Sequence, residues 1–101
     1  MDRRLELDAA IRSALGSSNV YFQPPESVHL RYPAVVYSLS SVRETFANDR
    51  KYNRRRVYSA ILIDPDPDTE LLDRMLDIPH SKLVRSFKAD NLNHYEIQIA
   101  Y

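Results

Sequence analysis

The chain has no cysteine and no tryptophan, and a single glycine in 101 residues. Without cysteine it owes nothing to disulfides, thiolate metal sites or thiol redox chemistry. With one glycine it has no glycine-rich loop to cradle a phosphate. No apolar run approaches the roughly 18 residues of a membrane span. The opening M-D-R-R-L-E-L-D lacks the apolar core of a signal peptide, which predicts a protein made in the cytosol with no membrane partner. There is no internal repeat and no low-complexity stretch. The length suits one domain, 1–101, with one modest core.

The net charge is zero, but the charge is segregated. Residues 43–56, R-E-T-F-A-N-D-R-K-Y-N-R-R-R, carry six of the fourteen basic residues and only two acidic ones, Glu44 and Asp49. Residues 64–77 carry six acidic groups, Asp64, Asp66, Asp68, Glu70, Asp73 and Asp77, against one basic one, Arg74. Such segments can offset each other within one molecule or mate between copies, because like subunits in a ring meet through two different faces.

Hydrophobic periodicity predicts the elements. Leu7, Ala10, Ile11, Ala14 and Leu15 form one stripe of a helix over about 2–15, and Gly16 stands where a helix C-cap favours a left-handed residue. Val20–Phe22 suits a short strand, ended by Pro24-Pro25. Ala34–Ser41 and Val57–Ile63 read as strands. In the second, Val57, Ser59, Ile61 and Ile63 oppose Tyr58, Ala60 and Leu62, and apolar residues on both faces predict a central strand covered on both sides, at least in an assembly. Asp66 and Pro67 suit the start of a second helix, whose stripe is Leu71, Leu72, Met75 and Leu76. Leu83–Lys88 and Asn93–Tyr101 close the chain as a hairpin turning on Asp90–Asn93. The expected fold is α+β: a mainly antiparallel sheet of about four strands packed with two helices, with a long arm at about 43–56 between the two central strands.

Chemistry is sparse. Asp64-x-Asp66-x-Asp68 resembles the opening of a calcium loop, but Thr69 and Met75 stand where that loop needs glycine and a bidentate glutamate. The three histidines, His29, His80 and His94, are far apart in sequence. No serine sits in a nucleophile elbow. No cofactor, metal or catalytic residue is expected, and the chain is not expected to be an enzyme.

The arm is the remaining feature. A hairpin can turn in about two to five residues, whereas about a dozen separate these two strands. Arg54–Arg56 with Tyr52 and Phe46 suit nucleic acid, guanidinium to phosphate and ring to base. The neutral total and the acidic segment behind the arm favour a protein contact instead, with arginine and tyrosine as anchors. The expected interface residues are Phe46, Arg50, Lys51, Tyr52, Arg54, Arg55 and Arg56 on the arm, and Asp64, Asp66, Asp68 and Glu70 on the acidic turn and helix.

The order of segments resembles a known family. The opening helix is followed by Y-P-A-V-V-Y-S-L (Tyr32–Leu39), the polar arm, V-Y-S-A-I-L-I-D (Val57–Asp64), an acidic proline turn and E-L-L-D-R-M-L (Glu70–Leu76). This is similar to the tail terminator, or tail completion, proteins of long-tailed phages, including the minor tail protein U of lambda-like phages. The ending A-D-N-L-N-H-Y-E-I-Q-I-A-Y (Ala89–Tyr101) resembles those of small head–tail joining proteins. The resemblance implies a virion protein without enzymatic activity, a protomer of a hexameric ring that ends the tail tube. Its implied partners are further copies of itself, the tail-tube protein and the head connector or stopper. Genomic DNA would pass through the lumen without sequence-specific binding. The chain is shorter than the lambda-like form after the second helix, which leaves a head-completion or stopper role open.

Overall fold

The apolar stripe of the first helix decides the architecture, because it needs a sheet to cover it. The computed structural model describes residues 3–24, 30–47 and 50–101, and for residues 3, 43–47 and 50–55 the backbone alone. Helix α1 (Arg3–Leu15) buries Leu7, Ile11 and Leu15. It stops at Gly16, whose N–H donates to the Arg12 carbonyl and whose φ of +71° is the left-handed value that a side chain resists.

Five strands follow the order β1-β2-β3-β5-β4. They are β1 (Val20–Phe22), β2 (Ala34–Ala47), β3 (Arg50–Asp64), β4 (Ser81–Ala89) and β5 (Leu92–Ala100). β1 runs parallel to β2, and the other pairings are antiparallel. The class is therefore α+β, as the sequence predicts, with the short β1 added as an edge. β4 and β5 are joined through Asp90 and Asn91, both at positive φ (52° and 61°), a two-residue hairpin turn of the kind Asp and Asn tolerate.

Both helices pack on one face. Val20, Val35, Tyr37, Tyr58, Ala60, Leu62, Ile97 and Ile99 meet Leu7, Ile11, Met75 and Ile78 in one core. Phe22, Tyr37 and Tyr58 form an aromatic group with centroids 4.9 to 6.4 Å apart. The Tyr37 hydroxyl, inside this group, donates to Asp8 Oδ2 of α1.

The expectation that β3 is covered on both faces is not met within one chain. Tyr58, Ala60 and Leu62 lie under the helices, while among the described residues no helix lies on the side of Ser59 and Ile61, which stay half-buried. Val57 and Ile63 are nevertheless buried. β3 is flanked by β2 and β5.

The second helix is shorter than predicted. α2 spans Leu71–Leu76, with Glu70 at the N-cap position and no side-chain cap. Pro65 and Pro67 disfavour helix in the residues before them, and Asp66 accepts from the Asp68 N–H in a local turn instead of capping. Thr69 Oγ1 accepts from the Leu71 N–H just ahead of the helix. The apolar stripe still docks: Met75 is buried, and Leu71, Leu72 and Leu76 pack against the core.

Candidate assembly surfaces

The segment expected as an arm of about a dozen residues is a continuation of the sheet. β2 and β3 stay paired from Ala34↔Ile63 out to Ala47↔Arg50. Residues 48 and 49 lie outside the described residues. The backbone ladder needs no apolar face for its hydrogen bonds, so a polar sequence can carry it. β5 accompanies β3 only as far as Val57↔Ala100, with the Tyr101 N–H reaching the Arg56 carbonyl. Beyond that point β2 and β3 form a free two-stranded ribbon, about 20 Å long at the usual strand rise. The molecule measures 50 × 25 × 23 Å, and its radius of gyration of 14.6 Å exceeds the roughly 13 Å of a compact chain this size.

Of the predicted arm residues, Arg56 is exposed at the ribbon root. Arg54 and Arg55 hold register positions opposite Glu44 and Arg43, and Lys51 and Arg50 opposite Phe46 and Ala47. The side chains of Phe46, Arg50, Lys51, Tyr52, Arg54 and Arg55 lie outside the described residues.

The acidic turn lies at the other end of β3. Asp64 is buried, and its Oδ1 accepts from the Asp66 N–H at 2.8 Å. It therefore serves the turn itself, and the outward charge falls to Asp66, Asp68 and Glu70, all exposed. β5 anchors the turn: Asn93 Nδ2 donates to the Asp64 carbonyl at 3.2 Å, and the Tyr95 hydroxyl donates to the Pro67 carbonyl at 3.3 Å. Arg56 and Asp64 are eight residues apart along one strand, about 26 Å at the strand rise. That exceeds the screening length of about 8 Å at physiological salt. Asp66, Asp68 and Glu70, beyond the Asp64 end of the strand, therefore do not neutralise Arg56 within one copy.

A third surface has no counterpart in the sequence-based expectations. β4 is an edge strand, and every residue from Lys82 to Lys88 is exposed. It carries Leu83, Val84 and Phe87 beside Lys82, Arg85 and Lys88, with a register shift between Leu83 and Arg85. The Arg85 guanidinium bonds to Glu96 at 2.9 Å and lies 4.9 Å from the Phe87 ring centroid, and Phe87 stacks on His94. The signal was the absence of alternation in L-V-R-S-F-K: a strand with no buried face has no period to display.

Other chemistry does not converge. Between the irregularities of β2 and β4, the open sheet face holds a shallow depression of about 330 Å³, with Ser40, Ser59, Lys82, Glu96 and Gln98 in its lining. No histidine among the described residues lines it. His80 and His94 stand at opposite ends of the β4–β5 hairpin, and His29 lies outside the described residues. Among the described residues no group of three or more His, Asp or Glu side chains could hold a metal ion. No helix among them is long and apolar enough to cross a membrane.

The chain matches no protein-family model and no curated protein.

Proposed function

We propose that this chain is a structural protein of a long-tailed phage virion, forming a ring that terminates the tail tube and joins it to the head connector. The observation that carries the reading is the placement of opposite charge at opposite ends of one strand. A basic ribbon at one end of the molecule and an acidic turn at the other cannot pair within a copy, but they can pair head to tail. Repeated around an axis, that heterologous contact closes into a ring. The order of segments, which resembles tail terminators, supplies the setting and the expectation of six copies.

In this arrangement Arg50, Lys51 and Arg54–Arg56 of one subunit approach Asp66, Asp68 and Glu70 of the next. Exposed ion pairs contribute roughly 0–1 kcal/mol each, so charge sets register and approach. Affinity then needs apolar contacts, and Phe46 and Tyr52 are the aromatic residues of the ribbon. The ring meets the tail-tube protein on one side and the head connector or stopper on the other, and DNA passes through its lumen without sequence-specific contacts.

The test is deletion of the gene in a phage that carries it. Overlong tails that fail to join heads are expected under the electron microscope. Tails of normal length with full heads that leak DNA would replace the terminator role by a connector role. Normal, infectious particles would overturn the reading.

A further inference from the structure

The edge strand β4 pairs with β5 on one side and, among the described residues, with no strand on the other. Its central residues Lys82–Lys88 are all exposed, and Leu83, Val84 and Phe87 retain 42%, 50% and 38% of their accessible surface. The strand's ladder can be counted back from the Asp90–Asn91 turn. Ala89 pairs with Leu92, Lys88 with Asn93, Phe87 with His94 and Ser86 with Tyr95. Hydrogen-bonded and non-bonded pairs alternate, so Ser86 and Lys88 turn their N–H and C=O groups to the free edge. The edge thus offers backbone donors and acceptors together with apolar side chains. An extended peptide satisfies both at once.

Charge selects the occupant. β4 carries three cations and no anion. Antiparallel pairing of two β4 strands about Arg85 would set Lys82 opposite Lys88 twice and Arg85 opposite Arg85, and parallel pairing in register is no better. Like charges directly opposite destabilise a ladder. The chain's own acidic turn is no substitute, because Pro65 and Pro67 lack the N–H a ladder needs and the turn is already bound to Asn93 and Tyr95. A nucleic acid would meet the cations but leave the edge carbonyls and apolar groups unmatched.

We infer that β4 is a strand-addition site for an extended acidic segment of another protein, one that alternates carboxylates with branched apolar residues. Lys82 and Lys88, which have no ion pair among the described residues, receive the carboxylates. Arg85 is already held by Glu96 and Phe87. The flanking lysines keep the edge from pairing with its own kind and do not oppose an acidic strand, while the register shift beside Val84 confines the added ladder to the Arg85–Ala89 side. This site does not depend on the ring: it would stand if the chain proved to have no role in a tail.

The test uses the full chain with two blocked nine-residue peptides, one alternating glutamate with valine and one alternating lysine with valine. Amide exchange is followed by NMR. The glutamate peptide is expected to bind and to slow exchange at Ser86 and Lys88, and the lysine peptide is not. Ser86→Pro removes one outward donor without breaking the β5 ladder and is expected to weaken binding about fivefold or more. The double exchange Lys82→Glu with Lys88→Glu is expected to reverse the peptide preference, which keeps the test decisive should the proline variant fold poorly. Equal binding of both peptides, or no slowing at β4 with millimolar glutamate peptide, would overturn the proposal. So would protection of β4 that grows with protein concentration alone, which indicates a second copy, or protection by oligothymidylate, which indicates nucleic acid.

Discussion

The Tyr37 hydroxyl donates to Asp8 Oδ2 at 2.6 Å, and this partly buried bond ties the first helix to the second strand beside the aromatic group of the core. Arg12 binds the other carboxylate oxygen, and the Arg4 guanidinium lies 4.5 Å from the Phe22 ring centroid, with its Nη1 3.4 Å from the Tyr37 hydroxyl. Burial alone would raise the Asp8 pKa, but the hydrogen bonds from Tyr37 and Arg12 and the charges of Arg12 and Arg4 hold it below 3.8. Burial and then the bond to Asp8 push Tyr37 up to about 12.

Two pH limits follow. Asp8 is depressed on folding, so its contribution is present above pH 3.8 and is lost as pH falls through the lower folded value. Tyr37 is raised, so its contribution is complete below pH 10 and is lost as pH rises from 10 through about 12. Tyr37→Phe should flatten the alkaline limb of stability against pH in urea titrations. At neutral pH it should cost about 1–3 kcal/mol, because it leaves a partly buried carboxylate short of a donor.

Gly16→Ala should destabilise through the backbone alone. A Cβ at this position would meet nothing nearer than Arg74 Nη1 at 3.9 Å, so sterics with neighbours are not the obstacle. The left-handed φ of +71° is, at about 1–2 kcal/mol for an ordinary residue. Gly16→Asn should cost less, and thermal unfolding of the two variants separates the effects.

Asp64→Ala should cost about 1–3 kcal/mol, because it removes the acceptor of the Asp66 N–H at a buried strand end. Asp64→Asn keeps an oxygen in place and should recover much of the loss. If both variants unfold at the same denaturant concentration, the turn does not rest on this bond.

Reversing the ribbon charge, with Arg54, Arg55 and Arg56 all changed to Glu, should leave monomer stability within about 0.5 kcal/mol per site. Ring formation measured by light scattering should be lost. Changing Asp66, Asp68 and Glu70 to Lys in the same chain should restore it. Failure of that rescue would show that the ribbon and the acidic turn do not meet.

The legible parts of the fold were those with a buried face. Leu7, Ile11 and Leu15 announce a helix because the core needs them at that spacing, and Ile97 and Ile99 announce a strand for the same reason. The ribbon was not legible as strand, since a backbone ladder needs no hydrophobic period. In β3, Val57 and Ile63 are buried on the side away from Tyr58, Ala60 and Leu62, and the expected second cover on that side concerns an assembly rather than one chain. For the candidate surfaces, the charge segregation could be counted from the sequence. The distance that makes it matter could not, because it depends on β3 being one unbroken strand from Arg50 to Asp64. The open β4 edge is a property of strand order, which no local pattern carries.

The continuation of β2 and β3 from core to ribbon, with register shifts at Leu39/Ser41 and Thr45/Phe46, separates two quantities that evolution can adjust independently. Among the described residues no helix packs on the ribbon, and the buried core residues lie outside 41–56. Adding or deleting a cross-strand pair would move the tip by about 3.4 Å and disturb no core contact. Two pairs restore the original facing of every side chain beyond the change. The body is thus a fixed mount and the ribbon an adjustable gauge, whose reach can be matched to a neighbour while stability stays where it was.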